Sequence, residues 1–564
     1  MSLQKNGFVQ EERLPQGMDS VKEMDSQSFN FSRDILDQWA QDRNKLAMLW
    51  VDDEGREVPK TFWEIAEESK KLCNVLQNQG VGRNDVVIVI LPRFIEWWIV
   101  HSACLRMGAI ISPGTGQLTP KDILFRLQAS EATCVITDAS VAPKVDAALE
   151  EYKALQCKIL VSEPGQQFSD YSAINSTWID YHSAVAAASA DFEAVDTQKD
   201  DNALLYFTSG TTGYPKMTVH THASYPLGHE VTGKHWLDLT EKDLHWNLSD
   251  SGWAKAAWSS FFGPWICGAT VFVHHSNRFH PQKTLSLLEK YPITTFCGAP
   301  TIYRMLVLED LSKYRFQALR HCVSAGEPLN PEVIDYWKKH TDLTIRDGYG
   351  QTETVLLVGN FPSFEPRLGS MGKPSPSFDV QVIDDEGNIL PPHREGDIAV
   401  RVVPERPVGL FKEYWKDPEK TAASFRGDWY LTGDRAYYDE DGYFWFVGRA
   451  DDVILSAGYR IGPFEVESAL LEHDAVVESA VVSSPDPLRG EVVKAFVVLK
   501  SGYDPSDELV KELQEYVKVT TAPYKYPRRI EFVSSLPKTV SGKIRRIELR
   551  EQEWHKSNET AEGA

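Results

Sequence analysis

The sequence predicts an α/β protein: a large N-terminal domain of βα-layered sheets with a small β-barrel-like portion, followed by a small α+β C-terminal domain. Three observations predict it. Short β-branched runs alternate with helical stretches through the first part of the chain. From about Gly369 to Val447 the composition turns to Gly, Pro, Asp and aromatics. After Gly448 it changes again. We place the boundary at 450, giving domains 1–450 and 451–564.

Asp85–Leu91 is a β-branched run followed by a helical stretch that ends near Gly108. Thr133–Thr137 and Lys158–Val161 read as further buried strands, so the sheets are largely parallel. Ser183–Ala190, rich in Ala and Ser, reads as a loop or a poor helix. Turn signals at Asp385-Glu-Gly387 and Asp441-Gly442 suggest short strands in hairpins. Pro463 can open a helix, and Phe464–Leu471 carries an apolar face. Strands Ala475–Val482 and Val492–Leu499, a polar helix Ser506–Val519 and a strand Ile530–Val533 complete a compact module.

A chain of 564 residues is too long for one ordinary core. The net charge of −22 argues against a nucleic-acid surface, although a phosphate site needs only local donors. No apolar stretch reaches membrane-spanning length. The N-terminus shows neither an apolar core segment nor an acid-free Arg/Ser-rich stretch, so a cytoplasmic location is expected. Seven scattered cysteines without a C-x-x-C pair read as small buried hydrophobes in a reducing compartment.

Ala203–Phe207 reads as a buried strand that runs into Thr208, Ser209, Gly210, Thr211, Thr212, Gly213, Tyr214, Pro215 and Lys216. The glycines free backbone N–H groups to face an anion, four hydroxyls add donors, and Lys216 adds charge. The spacing is not that of the P-loop, and Pro215 removes a donor where that motif would open a helix. The chemistry is polyphosphate binding of a different kind.

This T-S-G-T-T-G-x-P-K segment resembles the signature of the adenylate-forming superfamily of acyl-CoA synthetases, luciferases and peptide-synthetase adenylation domains. Five more segments resemble that family's motifs in its order: Ser324-Ala-Gly-Glu-Pro328, Asp347-Gly-Tyr-Gly-Gln-Thr-Glu353, Tyr430-Leu-Thr-Gly-Asp434, Gly448-Arg-Ala-Asp-Asp452 and Pro537-Lys-Thr-Val-Ser-Gly-Lys543. Chance does not produce six ordered matches. Leu248–Trp253, Gly298–Arg304 and Ser456–Pro463 look most like medium-chain acyl-CoA synthetases.

The resemblance implies ATP and CoA as substrates, Mg²⁺ as cofactor, and two half-reactions. The Thr208–Lys216 loop would hold the β- and γ-phosphates, Thr352 the α-phosphate, and Glu353 the Mg²⁺. Gly326, Glu327 and Pro328 would line the adenine, and Tyr349 would stack on it. Asp347, Gly348, Gly350 and Gln351 complete that motif. Asp434 would accept from the ribose hydroxyls, with Arg449 at the ribose or phosphate. Lys543 would bridge the incoming carboxylate and the α-phosphate, so Lys543, Thr352, Glu353 and Lys216 are the candidate catalytic residues. Asp451 matches the hinge about which a small mobile C-terminal domain rotates. Ala457, Gly458 and Tyr459 would then border the CoA channel, with Arg460 and Arg489 as candidates for its nucleotide end.

Gly252–Gly263 reads as a short helix with Lys255, Trp258 and Phe262 on one face. By resemblance this helix and Gly350 border the acyl group, with Trp253 leading the segment. Such bulk suits a small or short branched acid, while core packing is the competing use of the same aromatics. Lys255 either snorkels to solvent or borders the carboxylate entrance. His220/His222 and His274/His275 come without a third ligand at zinc spacing and read as structural. No G-x-S-x-G elbow is present. An adenylating enzyme with another acceptor, and a non-catalytic nucleotide-binding relative, are the alternatives to an acyl-CoA synthetase. The implied partners are small molecules, with no nucleic acid; a homo-oligomer stays open.

Overall fold

The computed structural model describes residues 27–562 except 164, 167, 169–176, 209–214, 277, 328, 450–451, 457–458, 487–489, 522 and 539–542; for 455, 459, 460 and 556–562 it describes the backbone alone. The protein is α/β, with the layered sheets expected. Among the described residues one sheet has nine strands, in the order Lys373–Pro374, Leu356–Gly359, Ile345–Gly350, His321–Ala325, Thr295–Gly298, Leu244–Leu248, Thr270–His274, Leu46–Val51 and Glu57–Thr61. Its six central strands run parallel. A second sheet has eight, in the order Glu413–Tyr414, Lys216–Thr221, Asn202–Thr208, Ile110–Pro113, Val86–Ile90, Cys134–Asp138, Cys157–Val161 and Ile179–Asp180.

The largest core lies where helices Phe62–Asn78 and Ile95–Met107 pack with residues of both sheets. Thr61 and Glu64 form a capping box that starts the first helix. Gly108, at φ 74°, ends the second in the left-handed conformation that a side chain would disfavour. Val86–Ile90 is buried at every position, as a continuous apolar run must be between covered faces. Ser183–Ala190 divides between the two uses expected of it: Tyr181–Ala187 is a short helix, with the Asp180 carboxylate accepting from Ser183 N (3.2 Å), and residues 188–190 lie beyond its end.

Hairpins built on Val380–Ile383, Gly396–Arg401, Trp429–Tyr438, Phe425–Arg426 and Phe444–Arg449 form the small curled sheet. After it, Ile454–Ser456, Tyr459–Ile461, Val476–Asp486, Gly490–Leu499 and Arg529–Phe532 make a separate sheet with its own apolar core. A terminal helix, Arg546–Glu562, packs on this sheet and was not foreseen. Its attachment is partly ionic: Arg546 donates to buried Glu467 through Nε (2.9 Å) and Nη2 (2.5 Å), and Glu553 accepts from Lys494 (2.6 Å).

The helix expected over Gly252–Gly263 starts at Ala254 and runs to Ile266, with an inserted wide turn. Ala254–Ala257 and Gly263–Ile266 are α-helical, but between them Gly263 N–H donates to Trp258 C=O, five residues back. A second such turn spans Thr232–Trp236, closed by Leu237 N–H on Thr232 C=O. The two turns meet through glycine: a Cβ on Gly233 would lie 2.5 Å from Gly263 O. Gly233→Ala must push them apart, at a cost of about 1–3 kcal/mol by analogy with overpacking. A thermal melt should show a lowered Tm without loss of helical circular dichroism.

Candidate active site

The Asn202–Thr208 and Lys216–Thr221 strands pair antiparallel with Thr208 opposite Lys216. The hydroxyl-rich loop therefore closes a hairpin rather than opening a helix. Ser209, Gly210, Thr211, Thr212 and Gly213 lie outside the described residues. Thr208 Oγ1 is buried and finds no hydrogen-bond partner among the described residues. Lys216 Nζ stands 5.3 Å from the centre of the Tyr414 ring. The Tyr414 hydroxyl donates to Glu353 Oε1 (2.9 Å). This places the lysine, the tyrosine and the buried carboxylate in series.

The next residue back is held as firmly. His220 Nε2 donates to the Thr352 carbonyl (2.6 Å), which can only accept, and so the ring carries its proton on Nε2. Nδ1 then accepts from the Ser224 hydroxyl (2.9 Å). Burial lowers the His220 pKa to about 4, which keeps the imidazole neutral and suited to both bonds.

Asp434 is the centre of the opposite wall. It sits on Trp429–Tyr438, directly across from Arg449 in the adjoining strand. Tyr349 OH (2.5 Å) and Gln351 Nε2 (2.8 Å) donate to Oδ2, and Arg449 Nη1 lies 3.2 Å from Oδ1. Gln351 also donates to Thr432 O and accepts from Tyr430 OH (3.2 Å). Burial raises the Asp434 pKa, and Arg449 opposes that rise. A carboxylate offers roughly four acceptor directions, so one on Oδ1 remains for a further donor. Tyr349 is thus fixed by its hydroxyl, and in the chain it stands between two glycines. A side chain at Gly348 would strike Trp236 (2.5 Å), and one at Gly350 would strike Val355 O (2.4 Å).

On the third side, Gly326 is exposed at φ 115°, a conformation few other residues take. Glu327 pairs with Arg304 (3.4 Å); Pro328 lies outside the described residues. Asp347 is buried beneath, accepting from Gly348 N (3.0 Å) and Leu329 N (3.5 Å). Desolvation pushes its pKa up to about 8.

The aromatic helix divides its residues. Trp253 and Trp258 keep partial exposure, and Trp258 stacks on His229 (5.9 Å) beside Trp236 (6.0 Å). Phe262 is fully buried among Phe31, Phe261 and Tyr225. Lys255 Nζ donates to Ala325 O (3.1 Å), so it turns into the site rather than out to water.

Lys538 and Ile544 form an isolated antiparallel bridge at the ends of the C-terminal loop, whose residues 539–542 lie outside the described residues. Its lysine, Lys543, is solvent-exposed yet close enough to Lys255 and Asp434 to act on their charges. Asp451, Ala457, Gly458 and Arg489 lie outside the described residues. Tyr459 and Arg460 are described in backbone only, within Tyr459–Ile461. Sequence reading missed Tyr414 and gave His220 only a structural role; nothing local in the chain marks either as a partner of Thr352–Glu353.

Buried neutral histidines give the fold a pH signature. His101 and His245 are pushed down to about 3, and His220, His222, His274 and His321 to about 4, chiefly by burial. Between these values and 6.5 the unfolded chain binds more protons, so stability rises with pH through this window and is complete above it. Each such group contributes ~1.4 kcal/mol per pH unit. Urea midpoints should climb from pH 4.5 to 6.5 and then level. His220→Asn, which keeps a donor for Thr352 but cannot titrate, should flatten the slope by close to one proton.

The chain matches the family model described as AMP-binding enzyme over residues 35–415, and that described as AMP-binding enzyme C-terminal domain over 465–543. It is 55% identical over 536 residues to the mitochondrial acyl-coenzyme A synthetase ACSM3 of Pongo abelii, covering 93% of this chain and 90% of the relative. A crystal structure of Brucella canis acyl-CoA synthetase shares 35% identity at a TM-score of 0.71, covering 94% and 95% of the two chains. That of the anthranilate CoA ligase AuaEII in complex with anthranoyl-AMP shares 29% at a TM-score of 0.85, covering 96% and 100%. One expectation falls. ACSM3 of Pongo abelii, Homo sapiens, Mus musculus and Rattus norvegicus is in each case named mitochondrial, which points away from the cytoplasm. A missing apolar stretch bears on secretory signals alone, and the loose Arg/Ser-rich, acid-poor composition of mitochondrial leaders makes its apparent lack near the N-terminus a weak test. With both family models matched in order, and a relative at this identity along nearly the whole length, the chain belongs to the AMP-binding enzyme family.

Proposed function

We propose that the protein is an AMP-forming acid–thiol ligase, an acyl-CoA synthetase that takes a small or short branched carboxylic acid. In the first half-reaction a carboxylate oxygen attacks the α-phosphorus of ATP and pyrophosphate leaves. In the second the CoA thiol attacks the acyl carbonyl of the adenylate, its proton is lost, and AMP leaves. The observation that carries this reading is the approach of Lys543, from the C-terminal part, to Asp434 and Lys255. That is where a charge bridging carboxylate and phosphate has to stand.

Both partners of the first step are anions, so positioning and electrostatics do most of the work. Thr208 Oγ1 and Lys216 serve the phosphates, and the Thr208 hydroxyl, unmet among the described residues, supports that role. Asp434 has an acceptor direction left for a ribose hydroxyl, and Tyr349, fixed by Asp434, offers a face to the base. Thr352 stands at the α-phosphate, its backbone held by His220.

The donor set also fits Mg²⁺. No group of three or more potential ligands occurs among the described residues, and Glu353 is a buried carboxylate. Mg²⁺ is commonly held by one or two carboxylates together with substrate phosphates and water, which matches a lone Glu353. When bound, it would neutralise charge on the leaving pyrophosphate.

We assign residues 1–450 to the ATP and acid sites, and 451–564 to a mobile unit that turns about Asp451. Ala457, Gly458 and Tyr459 then border the CoA channel, with Arg460 and Arg489 at its nucleotide end. Trp253 and Trp258 wall the acyl pocket, and Phe262 supports that wall from the core.

A panel of short, branched and aromatic acids tests the reading, assayed for ATP–pyrophosphate exchange and for CoA-dependent AMP release. Both signals are expected; exchange without CoA-dependent turnover would assign another acceptor, and neither signal would leave a non-catalytic relative. Lys543→Ala should abolish exchange yet still form thioester from supplied acyl-AMP. Trp258→Ala should extend the accepted acids to longer chains, and an unchanged preference would remove the tryptophan from the pocket.

A further inference from the structure

Glu353 is buried, and among the described residues the Tyr414 hydroxyl (2.9 Å from Oε1) is the single hydrogen-bond partner of its carboxylate. No lysine, arginine or histidine pairs with it there. A carboxylate offers roughly four acceptor directions, so one donor leaves most of this one unspent. The backbone of Glu353 is held as well: Phe411 N–H donates to its carbonyl (2.7 Å). Both grips come from one short segment. Lys412 N–H donates to Val219 O and Trp415 N–H to Met217 O (2.8 Å each), which lays Glu413–Tyr414 on the strand that begins with Lys216. Thr421 Oγ1 accepts from Tyr414 N–H (2.9 Å), and Phe411 packs on the tyrosine ring (4.9 Å between centres). The tyrosine is the fixed member of its pair with Glu353. Its ring face is turned to Lys216, whose Nζ stands 5.3 Å from the centre, within the range of a cation–π contact. Plain core packing requires neither the hydroxyl bond nor the cation on the ring. One buried side chain touches both the carboxylate suited to a divalent cation and the lysine suited to phosphate.

We propose that Tyr414 is a positioning residue that couples these two groups: its hydroxyl aims Glu353 at the divalent cation, and its ring steadies Lys216 beside the phosphates. This rests on the reading of the chain as an ATP-dependent, acid-activating enzyme and deepens it. Mg²⁺ demands near-ideal octahedral geometry, so a carboxylate that swings binds it less well. A tyrosine behind the ligand restrains that swing, as partners behind a metal ligand commonly do. Tyr414 acts through Glu353 and Lys216, so its loss weakens the cooperation between cation and ATP.

The test is direct binding of ATP and metal, with no acid present, to wild type, Tyr414→Phe, Tyr414→Leu and Glu353→Gln, each checked by thermal melt. ATP is titrated calorimetrically in EDTA and in Mg²⁺, and Mn²⁺ serves as the probe for electron paramagnetic resonance. Tyr414→Phe keeps the ring and loses the hydroxyl. It should weaken Mn²⁺ binding beside ATP, and raise the Mg²⁺ needed for half-maximal ATP–pyrophosphate exchange, by about tenfold each, while ATP binding in EDTA stays within about twofold of wild type. Excess Mg²⁺ should restore most of the lost exchange. Tyr414→Leu should weaken ATP binding in EDTA as well, because Lys216 loses the ring face. Unchanged Mn²⁺ binding and Mg²⁺ requirement in Tyr414→Phe would overturn the proposal, most plainly where Glu353→Gln alters both. So would an equal loss of ATP affinity with and without Mg²⁺, or an effect that tracks loss of thermal stability; either leaves Tyr414 a core aromatic. ATP binding in EDTA unchanged in Tyr414→Leu would overturn the part played by the ring. Wild type that binds ATP with Mg²⁺ yet exchanges with no acid would sink the acid-activating reading, and the calorimetric and Mn²⁺ results would still decide the role of Tyr414. Wild type that binds no ATP would sink both.

Discussion

Asp434 brings a carboxyl group into a place where little water can follow, and much of the site is arranged around that cost. Its four nearest partners come from different pieces of the fold. Tyr349 and Gln351 stand on or just past an edge-side strand of the nine-stranded sheet, Arg449 on the last strand of the curled sheet, and Thr432 Oγ1 steadies its backbone N–H (3.1 Å). Losing Tyr349, Gln351 or Arg449 takes a donor from a buried carboxylate, and losing Thr432 Oγ1 strands the backbone N–H, each dearer than the bond itself was worth. The carboxylate is thus a fastener between sheets as well as a candidate ribose contact. It also lies one strand away from the segment that leads to the C-terminal module.

The two sides of the site differ in how much of them the sequence could show. The strand that leads into the hydroxyl-rich segment was legible because Ala203–Phe207 is a continuous apolar run. Asp434 and Arg449 were legible through motif resemblance. Tyr414 was not: it reaches Glu353 only because Glu413–Tyr414 pairs with Lys216–Thr221, two hundred residues earlier in the chain. His220 was invisible as a support for Thr352 for the same reason. The parallel strands and the buried helix before Gly108 followed from hydrophobic runs. The wide turn at Trp258–Phe262 did not, since one extra backbone residue barely disturbs an amphipathic pattern. The terminal helix escaped because ion pairs such as Arg546–Glu467 and Lys494–Glu553, not an apolar stripe, do much to tie it down.

Charge in the site comes from separate parts of the chain. Lys216, Lys255 and Arg449 stand on strands or a helix, whereas Lys543 lies outside any strand or helix, beside the Lys538–Ile544 bridge. In a protein whose net charge is −22, a cationic cleft of this kind stands against an anionic background. Anionic reactants are repelled by the bulk of the molecule and welcomed at one mouth, which favours productive encounters over non-specific adhesion.

The burial of the cysteines has a consequence for an enzyme that delivers acyl groups to a thiol. All seven are free and inside the fold, and for Cys73, Cys104, Cys134, Cys267, Cys297 and Cys322 burial pushes the thiol pKa upward. The attacking species in thioester formation is the thiolate. Under the proposed reaction an adenylate would meet only thiols that packing withdraws and burial disfavours as thiolates, Cys297 within electrostatic reach of Lys255 among them. Self-acylation and mixed disulfides with the thiol substrate are both suppressed by packing, and the acceptor's own sulfur has the field to itself.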